Sequence, residues 1–204
     1  MNILKRTTVF SFIILFSIAI ISCKKEVKKE PAQFSIEQKT ITVKWTGYKT
    51  TDKIAVNGEF KEINISTDAK NSTTAVGALN GAKFNIPVSS LFSNNDERDG
   101  KLKQLFFGAM DATLSLTGTL NLNDDGTGDI DLLMNGVQQK IPVTFIASGQ
   151  LVEINGIMNL DNWNAQSALG SLAKACFEQH KGPDGESKTW NEVAVGAAVY
   201  LSKK

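Results

Sequence analysis

From Thr40 to the C-terminus the chain alternates apolar and polar residues with a period of two, and no other feature limits its fold so strongly. Ile41, Val43 and Trp45 fall on one side of an extended segment, and Thr42, Lys44 and Thr46 on the other. The same rhythm runs through residues 82–88, 114–122, 141–147 and 193–201, and residues 56–60, 63–65, 130–134 and 151–158 read as further strands. Successive strand side chains point to opposite faces, so each stretch has one buried face and one wet face. Asn135-Gly136 between two such runs is a strong hairpin signal. About eight strands joined by short turn-rich links predict an all-β antiparallel sandwich or barrel. Gly58 and Gly118, inside strands, suit the sharp bends of barrel corners.

Two segments depart from this rhythm. Residues 164–179 carry Ala165, Ala168, Leu169, Leu172 and Cys176 at helical spacing, and Gly182-Pro183-Asp184-Gly185 ends the run. This predicts one helix near the C-terminus with its stripe on the barrel and Trp190 nearby. Residues 96–110 contain Leu102, Leu105 and Phe106 and predict a short helical segment after Gly100.

The N-terminus has a different character. Lys5 and Arg6 precede an apolar and small-residue run at 9–21, which suits a signal-peptide core and is short for a membrane span. The run ends in Ile20-Ile21-Ser22-Cys23, which resembles the lipobox of bacterial lipoproteins. That resemblance implies export, cleavage before Cys23, acylation of Cys23 and attachment to a membrane in the cell envelope. Residues 24–33 are charged and include Pro31, as in a flexible tether. The expected organisation is a lipoprotein signal at 1–22, an acylated cysteine and tether at 23–39, and one domain at 40–204.

Removing the signal leaves Cys176 as the single free thiol, so the domain must stand on its hydrophobic core without a disulfide. The net charge of +1 gives no electrostatic footprint for nucleic acid. His180 is the sole histidine, which removes most histidine-based catalysis. Cys176 and His180, four apart, form half of a zinc site that Asp184 or Glu186 would complete, or a cysteine nucleophile with its base. Against both, a cysteine among apolar neighbours packs as a small hydrophobe with a raised pKa. Residues 121–132 partly mimic a calcium loop, but Leu132 stands where a bidentate glutamate belongs, and a polar hairpin is the better reading. No phosphate-binding loop, dinucleotide fingerprint or nucleophile elbow is present, so no cofactor, no metal and no enzymatic activity are expected.

Four stretches together resemble the YceI-like family of exported lipid-binding domains. They are Val43-Lys44-Trp45-Thr46-Gly47-Tyr48-Lys49, Val56-Asn57-Gly58-Glu59-Phe60, Glu97-Arg98-Asp99-Gly100-Lys101-Leu102, and residues 172–193 with Cys176, His180 and Ser187-Lys188-Thr189-Trp190. The resemblance implies an eight-stranded, lipocalin-like antiparallel barrel that holds a long apolar ligand such as a polyisoprenoid. Typical members carry a His-Ser pair soon after the first tryptophan; Tyr48-Lys49-Thr50-Thr51 stands here instead, so that contact is not carried over. Trp45, Phe60, Phe84, Leu114, Leu116, Val143 and Phe145 are the expected lining, with Gly58, Gly118, Ala82, Ala147 and Ala197 leaving space beside them. Arg98 and Asp99 are the expected mouth. The competing readings are a structural barrel filled by its own side chains and, further off, a hydrolase built on Cys176 and His180.

Overall fold

The computed structural model describes residues 33–69 and 72–204; the basic n-region, the apolar run, Cys23 and residues 24–32 of the tether lie outside the described residues. In chain order the elements are β1 (Phe34–Ser35), β2 (Ile41–Lys49), β3 (Ile54–Phe60), β4 (Asn64–Ser66), α1 (Ala75–Leu79), β5 (Ala82–Pro87), β6 (Leu91–Phe92) and α2 (Asp96–Lys101). There follow β7 (Ser115–Leu122), β8 (Thr127–Met134), β9 (Val137–Ser148), β10 (Leu151–Asn159), α3 (Gln166–Ala175), β11 (Glu192–Tyr200) and β12 (Ser202–Lys203).

One antiparallel sheet dominates, in the order β4-β5-β7-β8-β9-β10-β11-β2-β3-β6. Its two edges come from the same two stretches of chain. Residues 61–63 separate β3 from β4, and the 3₁₀ turn Val88–Ser90 separates β5 from β6. β3 pairs with β6 through Glu59↔Phe92 and Phe60↔Leu91, the Lys61 amide donates to the Ser90 carbonyl, and β4 pairs with β5 from Asn64↔Asn85 to Ser66↔Lys83. Residues 54–66 therefore run antiparallel to residues 82–92, and the curled sheet closes on itself along that seam. Counted as continuous stretches the wall has the eight strands expected; counted by unbroken ladder it has ten. The break falls at Pro87, which has no N–H to give a ladder.

Turn chemistry behaves as the residue types require. Asn135 and Gly136 take the two positive φ angles, 52° and 67°, of the tight β8–β9 hairpin. Residues 123–126 form the polar β7–β8 turn, in which Asp125 accepts from the Thr127 amide and hydroxyl. The calcium-like stretch is a hairpin.

The ordered domain begins before Thr40. Phe34 and Ser35 pair with Lys203 and Ser202, and Gln33 and Lys204 exchange both backbone hydrogen bonds. At this same end α1 touches β1, β7 and β10, and its Ala78 and Leu79 are wholly buried, so this helix plugs one end of the barrel. Among the described residues every ladder and the buried core lie within the compact unit Pro31–Lys204, which carries its own fold.

The C-terminal helix is shorter than the expected 164–179. A 3₁₀ turn, Leu160–Trp163, leads into Asn164 in the left-handed region (φ 53°), and α3 runs only from Gln166 to Ala175. Its stripe is placed as expected: Ala165, Ala168, Leu172 and Cys176 are buried, and Leu169 packs against the core. The mid-chain helix starts before Gly100, not after it. Asn95 caps α2 by accepting from the Arg98 amide, and a π-helical turn, Leu102–Phe106, continues it. That turn packs on α3, and the two close over the end of the barrel opposite α1.

Candidate functional site

Between the sheet and the α2–α3 cover lies a cavity of about 400 Å³. Trp45, Phe60, Phe84 and Leu116 line it from the sheet, and Leu102, Phe106, Leu169 and Leu172 from the helices. A smaller cavity of about 100 Å³ lies deeper, among Ile41, Ile63, Leu120, Val143 and Val199. The two share Val43, Phe84, Ile86, Ile130 and Val195, so they are successive chambers of one apolar interior. The larger alone is of the size that small-molecule sites have.

The glycines create this space indirectly. A β-carbon on Gly58 would collide with the indole of Trp45, its cross-strand partner, and one on Gly118 would collide first with the Asp131 carbonyl of β8 and then meet the ring of Phe84 at 2.7 Å. Each ring lies over bare backbone, against the wall. The room expected beside the glycines is occupied by these aromatics, and the open volume lies inward of them. The Trp45 Nε1 atom is buried with no acceptor among the described residues.

Of the expected lining, Trp45, Phe60, Phe84 and Leu116 meet in the main cavity and Val143 in the deeper one. Phe145 packs on the core but contributes to neither. Leu114 is misplaced by the alternation: it is 85% exposed. The chain turns at Ala112 (φ 45°) and β7 begins only at Ser115, so the strand's two-residue rhythm does not reach Leu114. Ala147 is also exposed and leaves no interior space.

The expected mouth pair separates. Arg98 lines the cavity, where Nε donates to Ser93 Oγ (2.7 Å) and Nη2 to the Ser93 carbonyl (2.9 Å). Asp99 is outside the cavity wall and 6% exposed. It accepts from the Ser93 amide at 3.0 and 3.1 Å and from the Ser93 hydroxyl at 2.5 Å. One turn of helix sends adjacent side chains in different directions, so Arg98 faces the cavity while Asp99 fastens α2 to the preceding loop.

The rest of the rim was not identified in the sequence. Lys49, Lys101, Gln179, His180 and Trp190 all border the opening. Lys49 was legible, because it continues the inward parity of Val43, Trp45 and Gly47 in β2. Next to it Thr50 is buried with φ 58°, unusual for a β-branched residue. Its backbone is held by the Lys188 carbonyl and by Trp190 Nε1, which donates to the Thr50 carbonyl at 2.8 Å. These bonds tie the β2–β3 turn to the segment after α3.

Cys176 and His180 both face the cavity. Burial pushes the Cys176 thiol up, against the pull of Lys101 and Lys49. Burial pushes His180 down, and Lys49 and Lys101 push it further. His180 Nδ1 is engaged with Thr189 Oγ1 at 2.6 Å, and no side-chain hydrogen bond links it to Cys176. Asp184 is occupied by the Thr51 hydroxyl and the Glu186 amide. Among the described residues no three His, Cys, Asp or Glu side chains are placed to hold a metal ion. The arrangement offers an apolar chamber with a polar, mainly cationic opening, and a thiol kept protonated.

Comparison with known proteins agrees with this architecture. The model of the YceI-like domain matches residues 31–199. No curated protein matches the chain. Among solved structures, a polyisoprenoid binding domain from Saccharophagus degradans superposes with a TM-score of 0.57 at 11% identity, covering 85% of this chain and 99% of the other. BcnA of Burkholderia cenocepacia superposes with a TM-score of 0.51 at 13% identity, over 82% of this chain and 99% of its own. At these identities the likeness is one of fold.

Proposed function

This chain belongs to the YceI-like domain family, and on that footing we propose that its barrel binds or carries a long apolar or amphipathic ligand, such as a polyisoprenoid lipid, in the cell envelope. The observation that carries the reading is the pair of adjoining apolar chambers, the larger open at the rim of Lys49, Arg98 and His180. At roughly 25 cal/mol per Å² of buried apolar surface, an extended hydrocarbon gains affinity from such a chamber without any charged contact. The Saccharophagus degradans neighbour, described as polyisoprenoid binding, supports the ligand class. The open volume favours this reading over a barrel filled by its own side chains. The raised Cys176 thiol favours binding over thiolate chemistry. The apolar run and the lipobox-like residues ending at Cys23 support export and acylation, with the protein held on a membrane at the periplasmic or outer-membrane face.

The test is native mass spectrometry of residues 31–204 with lipid extraction, together with uptake of a fluorescent polyprenyl probe. The parent should carry or take up one apolar chain, and Leu116→Trp, which fills the chamber, should reduce uptake. A parent that carries no lipid and takes up no probe would return the filled barrel as the correct reading.

A further inference from the structure

Four cations, Lys44, Lys49, Arg98 and Lys101, border the cavity; Lys44 is exposed, and the partners of the other three are unequal. Lys101 has a carboxylate, Glu97, at 2.7 Å. Lys49 donates only to a neutral acceptor, the Gln179 carbonyl at 3.2 Å. Arg98 spends Nε and Nη2 on Ser93 and has no partner at Nη1 among the described residues. Neither Lys49 nor Arg98 has a carboxylate within ion-pair distance among those residues, whereas Lys53, Lys61, Lys140 and Lys181 each have one. Both unpaired cations are half-buried and stand beside apolar surface. A cation taken partly out of water without a counterion is costly, and this chain has 21 acidic residues from which to supply one. Inside the rim, burial lowers His180 first, and the nearby charges of Lys49 and Lys101 lower it further.

We infer that the cavity takes an amphiphile with an anionic head, a phosphate or a carboxylate, and that Lys49 and Arg98 bind that head while the chain lies in the apolar chambers. This rests on the apolar-ligand reading and adds the chemistry of the head. Arg98 is suited to it, because Ser93 fixes the guanidinium plane and leaves one edge of the fork free for an oxyanion. Lys49 adds a point charge from the inward face of β2. A neutral head, an alcohol or a quinone, would leave both cations without a counterion.

Competition against a fluorescent polyprenyl probe on residues 31–204 separates the outcomes. The competitors are geranylgeranyl phosphate, geranylgeranoic acid, geranylgeraniol and inorganic phosphate. The first two should displace the probe at least about tenfold better than the alcohol, a gap that narrows with salt. Lys49→Gln should remove most of the gap by weakening displacement by the phosphate and the acid; Lys49→Arg should restore it. Arg98→Gln should act likewise where circular dichroism shows an intact fold, and Lys49→Gln alone decides the matter if it does not. Equal displacement by the phosphate and the alcohol, or a preference that survives Lys49→Gln, overturns the anionic head and leaves the apolar-ligand reading standing. Displacement by inorganic phosphate as effective as by geranylgeranyl phosphate overturns the amphiphile in favour of a free-anion site. A probe that never binds brings down the apolar-ligand reading and this inference with it.

Discussion

The indole of Trp45 lies over the bare backbone of Gly58, directly across the β2–β3 ladder. The barrel wall there depends on a missing side chain, since any β-carbon would occupy the place of the ring. Gly58→Ala should therefore force Trp45 inward or distort the ladder, costing about 1–3 kcal/mol. Urea unfolding measures the loss, and a shift in tryptophan emission should accompany it. An unchanged midpoint and spectrum would mean that the ring moves aside freely.

Leu172 is the buried centre of the α3 stripe and also lines the main cavity. Leu172→Ala should destabilise the domain by about 2–5 kcal/mol, with the smaller values if the helix settles into the void. A loss near zero in denaturant unfolding would make α3 a peripheral cover.

His180 gives the domain a pH dependence of definite sign. Its pKa in the folded chain lies below the ordinary 6.5, through burial first and then Lys49 and Lys101. Between the two values the unfolded chain binds a proton that the folded chain does not. Stability should therefore fall as pH drops through 6.5 and level off below the folded value. Glu97, Asp125, Asp129 and Asp184, all lowered, add their own losses only near and below 4.5. Thermal unfolding of the parent and of His180→Gln between pH 5 and pH 7 isolates the effect; the variant should show the flatter profile.

Membrane attachment should depend on Cys23. In the full chain, Cys23→Ser should give a soluble or unprocessed product on fractionation. If the variant still pellets with membranes at mature size, the anchor lies elsewhere.

How far the sequence could be read depended on whether a feature is local. Period-two alternation placed Trp45, Phe60, Phe84, Leu116 and Val143 inside, because strand parity needs only neighbours in the chain. It failed at Leu114, where the strand had not yet begun, and a parity rule carries no information about strand ends. The seam was invisible for a different reason: residues 54–66 meet residues 82–92 through closure of the whole sheet, which no local pattern encodes. Arg98 and Asp99 are adjacent in sequence, which suggests a pair, but helical geometry divides them. The rim was hardest to foresee, since it gathers β2, α2 and the stretch after α3 from separate parts of the chain.

The knot of β1 and β12 has a consequence for orientation. β2 crosses the wall for about 26 Å, with Ile41 near the knotted termini and Lys49 at the rim. The chain thus enters the barrel at its plugged base, and the opening is at the other pole. The backbone at Gln33 and the rim of Lys49, Arg98 and His180 therefore lie at opposite poles of the domain, so a ligand entering at the rim meets the closed base and does not share the chain's point of entry.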